Sequence, residues 1–259
     1  MIDAGSSVAI STTVSDQFDA KHALIAMLDV FRQDGMPQTI RMDRDPRLVG
    51  SSSNDIFPSA FMRTLLCLGV TLDICPPRRP DRKPYVERFI RTQKEESIYP
   101  RRPATVEQSQ LWLDDHRQFY NLERPNQAIT CNNHPPLLAL GTPPTLRRLP
   151  LEVDADSWLQ RYHRHSFRRK VKANGEVRVD RDNYYIGQKY RGQKVLVILD
   201  AHEKYLEFYI QSQHVKTKPI RKQLYGVLPI DDFVDVMLKE AESETRRLAR
   251  QRKLTRRHA

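Results

Sequence analysis

Between Asp19 and Ile74 the apolar pattern alternates between a helical and a strand period, which restricts this stretch to α/β organisation. Ala23, Leu24, Met27, Leu28 and Phe31 form an apolar stripe on a helix from Asp19 to Gly35, with the glycine as its stop. Thr39-Ile40-Arg41-Met42 reads as a short strand ending at Asp43. A polar loop, Gly50 to Asn54, leads to a helix from about Phe57 to Leu68. Gly69 ends that helix, and Val70 to Ile74 is a further strand. Ahead of all this, Asp3 to Ser6 reads as a turn and Val8 to Val14 as a β-branched strand. Turn plus strand implies a hairpin, so the chain is expected to begin inside a sheet.

Pro76-Pro77-Arg78-Arg79-Pro80 breaks regular structure. Helices are expected from about Asp81 to Ile98 and from about Thr105 to Tyr120. Pro135-Pro136 and Pro143-Pro144 mark a loose exit. Beyond them the pattern changes to short strands near 175–179, 183–186, 194–199, 205–210 and 214–220, the spacing of a small antiparallel barrel. The tail from Ile230 is helical. The organisation expected is a core over 1–140, a basic linker over 141–172, a barrel over 173–226 and a basic helical tail over 227–259.

The net charge of +11 and a pI near 9.7 favour a polyanionic partner, because each cation that neutralises a phosphate releases a condensed counterion. Cys67, Cys75 and Cys131 are widely spaced and form no C-x-x-C pair, so neither a zinc site nor a disulfide framework is signalled. No apolar run approaches the roughly 18 residues of a membrane span, and a cytoplasmic protein without a membrane partner is expected.

Two carboxylates stand out by position. Asp43 closes a strand, and Glu87 lies early on the helix after the proline break. Metal-assisted phosphoryl chemistry needs hard oxygen ligands converging in this way, although a chain with 32 acidic residues offers many such pairs. Glu87, Arg91 and Lys94 stand at i, i+4 and i+7, on one helix face, which suits a DNA backbone beside the carboxylate.

Thr39 to Asp43, Leu68-Gly69-Val70, Pro76 to Pro80 and the run from Val86 to Glu96 together resemble the retroviral-type integrase core of insertion-sequence transposases. These belong to the DDE superfamily with an RNase H-like fold. Tyr120-Asn121-Leu122-Glu123-Arg124-Pro125-Asn126-Gln127-Ala128 is similar to that family's Tyr-Asn-x-x-Arg-Pro-(His/Asn)-Gln-Ala signature. The resemblance implies an α/β RNase H-like core followed by a small all-β barrel and a basic C-terminal helix. It implies Mg²⁺ or Mn²⁺ as cofactor, with Asp43 and Glu87 as the second and third acidic residues, both catalytic and metal-binding.

Departures accompany the likeness. Arg44-Asp45-Pro46 follows Asp43 where the family has Asn-Gly, leaving Asp45 as an alternative ligand. The family's opening strand and its Asp are absent, with Asp3 the nearest early acid. The expectation is therefore a chain that is inactive alone for want of the first catalytic Asp.

Arg161 to Lys170 interleaves cations with aromatics, a mix suited to phosphate contact and base stacking. Arg164, Arg168, Arg169 and Lys170 are DNA-binding candidates there, and Arg246, Arg247 and Arg250 open a basic run that continues to Arg257. The barrel resembles the one that follows the core in integrases, which binds DNA and helps assemble the multimer. The partners implied are DNA, as transposon ends and target, and further copies of the chain as a homo-oligomer on a prokaryotic nucleoid. The rival reading is a non-catalytic DNA-binding remnant or regulator of a transposase. A ribonuclease H-type hydrolase shares the fold but predicts neither the signature nor the barrel.

Overall fold

The computed structural model describes residues 1–50, 57–76, 84–180, 182–221 and 224–257, with side chains to residue 250. The polar loop after Gly50, most of the proline break and the last basic side chains lie outside the described residues. The fold is mixed helix and strand with several small sheets. The chain divides into two compact units. One holds Met1–Pro37, Arg41–Asp43 and Ile74–Arg148, the other Gln38–Ile40, Arg44–Asp73 and Leu149–Ala259.

In the first unit, the expected strand over Val8–Val14 does not form. Ile2 and Ala9 make an isolated antiparallel bridge, and no strand continues from it. The polar backbone of this segment is satisfied partly by the backbone of Met1 and Asp3 and partly by side chains, as described below. Helix α1 (Ala20–Gln33) is capped by Asp19, whose carboxylate accepts from the His22 N–H at 2.9 Å. Its buried face is Ala20, Leu24, Met27, Leu28, Val30 and Phe31. Gly35 follows at φ +94, and a Cβ there would lie 2.8 Å from the Leu146 Cβ, so both conformation and space demand glycine.

Strands β1 (Thr39–Met42) and β2 (Thr71–Ile74) form a two-stranded sheet. Thr71 donates to the Gln38 carbonyl and Cys75 to the Met42 carbonyl, so donors and acceptors advance together as in a parallel pair. Between them lie α2 (Pro46–Val49) and α3 (Ala60–Cys67), both in the second unit.

After the proline break, α4 (Pro84–Gln93) passes into a π-helical turn over Lys94–Ile98 and a short α5 (Tyr99–Arg101). The single helix expected to Ile98 is thus interrupted at Lys94. Helix α6 (Val106–Leu122) is capped by the Thr105 hydroxyl, and α7 is Pro136–Leu140.

The second unit continues with β3 (Glu152–Asp154) and α8 (Trp158–Arg161), then β4 (Ser166–Lys170), β5 (Glu176–Val179), β6 (Asp182–Tyr185), β7 (Lys194–Asp200), β8 (Tyr205–Ile210) and β9 (Gln213–Pro219). It ends with β10 (Val227–Pro229), which pairs with β3, and the long α9 (Ile230–Arg257). The five strands expected between Gly175 and Ile220 are β5 to β9; β4 comes from the basic run. The order β4-β7-β8-β9 makes a four-stranded antiparallel sheet, and β5-β6 is a separate hairpin.

Alternation on these strands sends Phe167, Val195, Val197, Leu206 and Phe208 into one core with Trp158, Leu159 and Tyr184. Phe57, Leu66 and Cys67 pack on the same cluster, and the Phe57 ring meets Trp158 edge-on at 5.4 Å. On β9, which ends the sheet, Lys218 stands opposite buried Leu206 and Lys216 opposite buried Phe208. Both lysines therefore share the core-facing side, and the Lys216 ammonium sits 5.8 Å from the Tyr185 ring centre.

A buried charge cluster fastens α3 to α9. The Arg63 guanidinium, 1% exposed, lies 2.7 Å from a Glu240 oxygen and 3.4 Å from a Glu244 oxygen. Glu244 also accepts from the Ala60 N–H at 3.0 Å, and Tyr225 donates its hydroxyl to Glu240 at 2.6 Å. Burial opposes the charge on Arg63, but Glu240, Asp180 and Glu244 outweigh it and raise its pKa above the usual value.

Burial pushes the phenols of Tyr162 and Tyr184 up to about 12. Folded-state values above the unfolded ones stabilise the protein fully below pH ~10, and this contribution is lost as pH rises from ~10 through 12. An alkaline melting series should therefore show a falling Tm over that interval, with two tyrosines ionising late in the absorbance titration. Substituting both by phenylalanine should flatten the decline. Among the described residues no helix is long and apolar enough to cross a membrane.

Candidate active site and nucleic-acid interface

The parallel register of β1 and β2 brings their C-terminal ends to one sheet edge, where sheets of this kind present ligand-binding side chains. Asp43 leaves β1 at that edge, immediately after buried Met42. From the end of β2 the chain proceeds through the proline break into α4, which carries Glu87 in its first turn. Asp43 and Glu87 are both exposed and belong to the same compact unit, and each engages in polar interactions within the chain. Arg91 follows Glu87 by one turn and Lys94 opens the π-helical segment; both are exposed.

The two alternative acids have structural duties. Asp45 caps α2, accepting from the Arg47 N–H at 2.8 Å and holding the Arg47 side chain at 2.6 and 2.9 Å. Asp3 accepts from the Ser6 N–H at 2.8 Å inside its turn. Among the described residues, no group of three or more His, Cys, Asp or Glu side chains is placed to hold a metal ion. Carboxylates such as those of Asp43 and Glu87 are hard oxygen donors of the kind a divalent ion takes.

The signature run behaves as a brace. Asn121, almost fully buried, accepts from the Ala9 N–H at 2.9 Å and donates to the Ala9 carbonyl at 2.8 Å. Gln110 does the same for the Val14 N–H and the Thr12 carbonyl, and Arg117 donates to the Ile10 carbonyl. The Tyr120 ring meets Phe89 at 4.9 Å, two residues beyond Glu87, and Ala9 completes that cluster. Asn126 donates to the Tyr120 hydroxyl at 2.8 Å and accepts from the Ala128 N–H at 2.9 Å.

Arg124 grips Glu96 in the π-helical turn with three contacts between 2.8 and 3.0 Å, and His116 meets the same carboxylate at 3.1 Å. The Arg124 hydrogen bonds hold the Glu96 carboxyl below the usual carboxylate range. A one-turn π segment inside an α-helix often marks a functional site. Here its acid is locked to the signature arginine.

The integrase core domain family matches residues 68–136, from the end of α3 to the start of α7. That segment is similar to an integrase core domain. The matched segment contains Glu87, the π-helical turn and the signature run from Tyr120 to Ala128. The integrase core family generally uses divalent metal ions. A chain of the simian T-cell lymphotropic virus intasome, solved by cryo-EM in complex with the PP2A regulatory subunit B56 gamma, is similar at a TM-score of 0.39 and 13% identity. The likeness covers 82% of this chain and 69% of that one, and at that level it does not fix the fold. A search of curated proteins returns no match.

The basic candidates outside the core differ in how far they are engaged. Arg164 pairs with Glu207 at 3.1 Å, and Arg169 lies over the Phe167 ring at 5.6 Å. Arg168 and Lys170 project from the outer face of β4. On α9, Arg246 pairs with Glu242 at 2.6 Å, Arg247 donates to the Gly50 carbonyl at 3.4 Å, and Arg250 is exposed. His163 stacks edge-on against His202 at 4.4 Å and accepts from the Ala201 N–H, a structural use of a residue expected in an open basic patch.

Sequence reasoning missed Glu96, His116, Asn121 and Arg63. An arginine within the apolar run Ala60–Cys67 was the available signal for Arg63. For Asn121 the signal was the signature itself.

Proposed function

We propose that this chain serves DNA transposition or integration by metal-dependent strand transfer, with Asp43 and Glu87 as two of the carboxylates that hold Mg²⁺ or Mn²⁺. The observation that supports the reading is that Asp43 leaves the C-terminal end of a strand in the parallel β1–β2 pair and Glu87 stands in the first turn of the helix after the proline break. In this reading the first unit is an RNase H-like core, β4 to β9 are the small barrel, and several copies assemble on DNA in the cytoplasm.

A bound divalent ion would supply Lewis-acid activation of a water or 3′-hydroxyl and stabilise the leaving oxygen. The chain's own part is to hold two carboxylates on rigid elements. The Phe89–Tyr120 contact fixes the rotation of α4 about its axis, and Arg91 and Lys94 offer charge to the DNA backbone on the Glu87 side. Mn²⁺ titration followed by electron paramagnetic resonance tests the pair. Asp43→Asn and Glu87→Gln should each weaken binding at least about tenfold. Equal affinity in both variants and the parent would remove the metal site.

A second reading is a DNA-binding remnant or regulator, which the basic side chains of β4 and α9 would serve equally well. Strand-transfer assays on this polypeptide with Mn²⁺ separate the two. Joined products favour the enzyme, whereas retained DNA affinity without product favours the regulator.

A further inference from the structure

Two contacts tie α4 and its continuation to α6. The Phe89 ring meets Tyr120 at 4.9 Å, and within the π-helical turn the Ser97 hydroxyl donates to the Trp112 carbonyl at 3.1 Å. The later residue of one helix meets the earlier residue of the other, so the two run antiparallel.

Between these ties the helix changes period. Phe89 and Gln93 are the buried positions of α4. At 100° per residue, an uninterrupted α-helix would bring Glu96 within about 40° of their shared direction and leave Ser97 about 60° from it. Burial runs in the opposite order: Ser97 is 1% exposed, whereas Glu96 is exposed at the rim. The wide turn, closed by the Tyr99 N–H on the Lys94 carbonyl, takes in an extra residue and resets the buried face by one position.

Isolated π turns are rare, so a hold from outside the helix is expected. That hold is on Glu96. Arg124 grips it with three contacts between 2.8 and 3.0 Å, and is itself steadied by the Pro125 carbonyl at 3.3 Å and the Tyr120 ring at 5.9 Å. Buried His116 meets the same carboxylate at 3.1 Å through Nε2. Its Nδ1 has no hydrogen-bond partner among the described residues, so the ring's polar bonding is directed to Glu96. Without this hold, a return to the α period would set the segment carrying Glu87 out of step with Ser97 by about 100°. Either the Phe89–Tyr120 contact or the Ser97 hydrogen bond would then break.

We infer that Arg124 and His116 are positioning residues: acting through Glu96, they hold the π-helical turn and with it the direction in which α4 presents Glu87 and Arg91. The inference rests on the reading of Glu87 as a metal-binding carboxylate and gives the signature arginine a part in it.

The test compares the full chain with Arg124→Met, His116→Phe and the exchanged pair Glu96→Arg with Arg124→Glu. Two readouts need no metal: hydrogen exchange at the Tyr99 amide, which closes the wide turn, and the nuclear Overhauser contact between the Phe89 and Tyr120 rings. The third is Mn²⁺ affinity by electron paramagnetic resonance. Arg124→Met should speed exchange at Tyr99, weaken the ring contact and lower Mn²⁺ affinity by about tenfold. His116→Phe should fall between it and the parent, and the exchanged pair should recover most of all three readouts. Leu24→Ala, which opens a cavity behind the buried face of α1, should lower the Tm yet leave Mn²⁺ affinity within about twofold.

Unchanged exchange and ring contact in Arg124→Met would show that the turn holds itself, which overturns the inference. Altered exchange with Mn²⁺ affinity equal to the parent's would reduce the lock to a stabilising contact and overturn the positioning role. An equal loss of affinity in Leu24→Ala would do the same. If the parent itself takes up no Mn²⁺, the metal reading of Glu87 falls and the positioning role falls with it, a result seen before any variant is made.

Discussion

Replacing Arg63 by methionine is expected to destabilise the second unit severely. The guanidinium is the counter-charge for Glu240 and Glu244, and all three side chains are at most 5% exposed. Removing one partner of a buried ion cluster costs about 3–5 kcal/mol, a large share of the 5–15 kcal/mol that typically holds a domain. The loss should appear in calorimetry as a Tm lowered by roughly 10 °C or more. A triple replacement, Arg63→Met with Glu240→Met and Glu244→Leu, should restore most of the stability, because packed apolar groups replace such clusters at little cost. A single variant as stable as the parent would mean that the cluster is hydrated.

The second large effect is expected at Asn121. Its amide closes two hydrogen bonds on the backbone of Ala9, which is itself 1% exposed. Asn121→Ala leaves a buried N–H and a buried carbonyl without partners, at about 1–3 kcal/mol for each. Asn121→Asp keeps the acceptor for the Ala9 N–H but sets a carboxylate oxygen against the Ala9 carbonyl, so it should be no better than alanine near neutral pH. Asn121→Gln, with the same chemistry on a longer arm, should recover little. Hydrogen exchange at the Ala9 amide reads this directly, and unchanged protection in Asn121→Ala would show that the brace is dispensable.

Patterns with a fixed period were legible before any coordinates. The α1 stripe, the four residues of β1 and the alternation in β7 and β8 are local rules, and each element lies where its period placed it. The misplaced strand at Val8–Val14 shows the limit of propensity. Its β-branched residues favour extended backbone, but its partners are the backbone of Met1 and Asp3 and the side chains of Gln110, Arg117 and Asn121 rather than another strand. Strand β4 was hidden for the opposite reason. In Ser166–Lys170 only Phe167 is apolar, so charge masked an alternation that one aromatic side chain anchors.

At the candidate site, Asp43 and Glu87 were visible as strand-end and helix-start acids. The lock between Glu96 and Arg124 was not, because no local rule foretells a π-helical turn. The signature drew attention through likeness alone, and its task became visible only when Asn121, Tyr120 and Arg124 were seen to reach three different segments.

Strand β9 closes one side of its sheet, and an uncovered edge of alternating β residues is a template for another chain. Lys216 and Lys218, placed on the inward side, make such templating unfavourable, because an added strand would trap two ammonium groups against Phe208 and Leu206. At high local concentration fibrous self-association is the chief hazard of such an edge, and these two lysines guard against it.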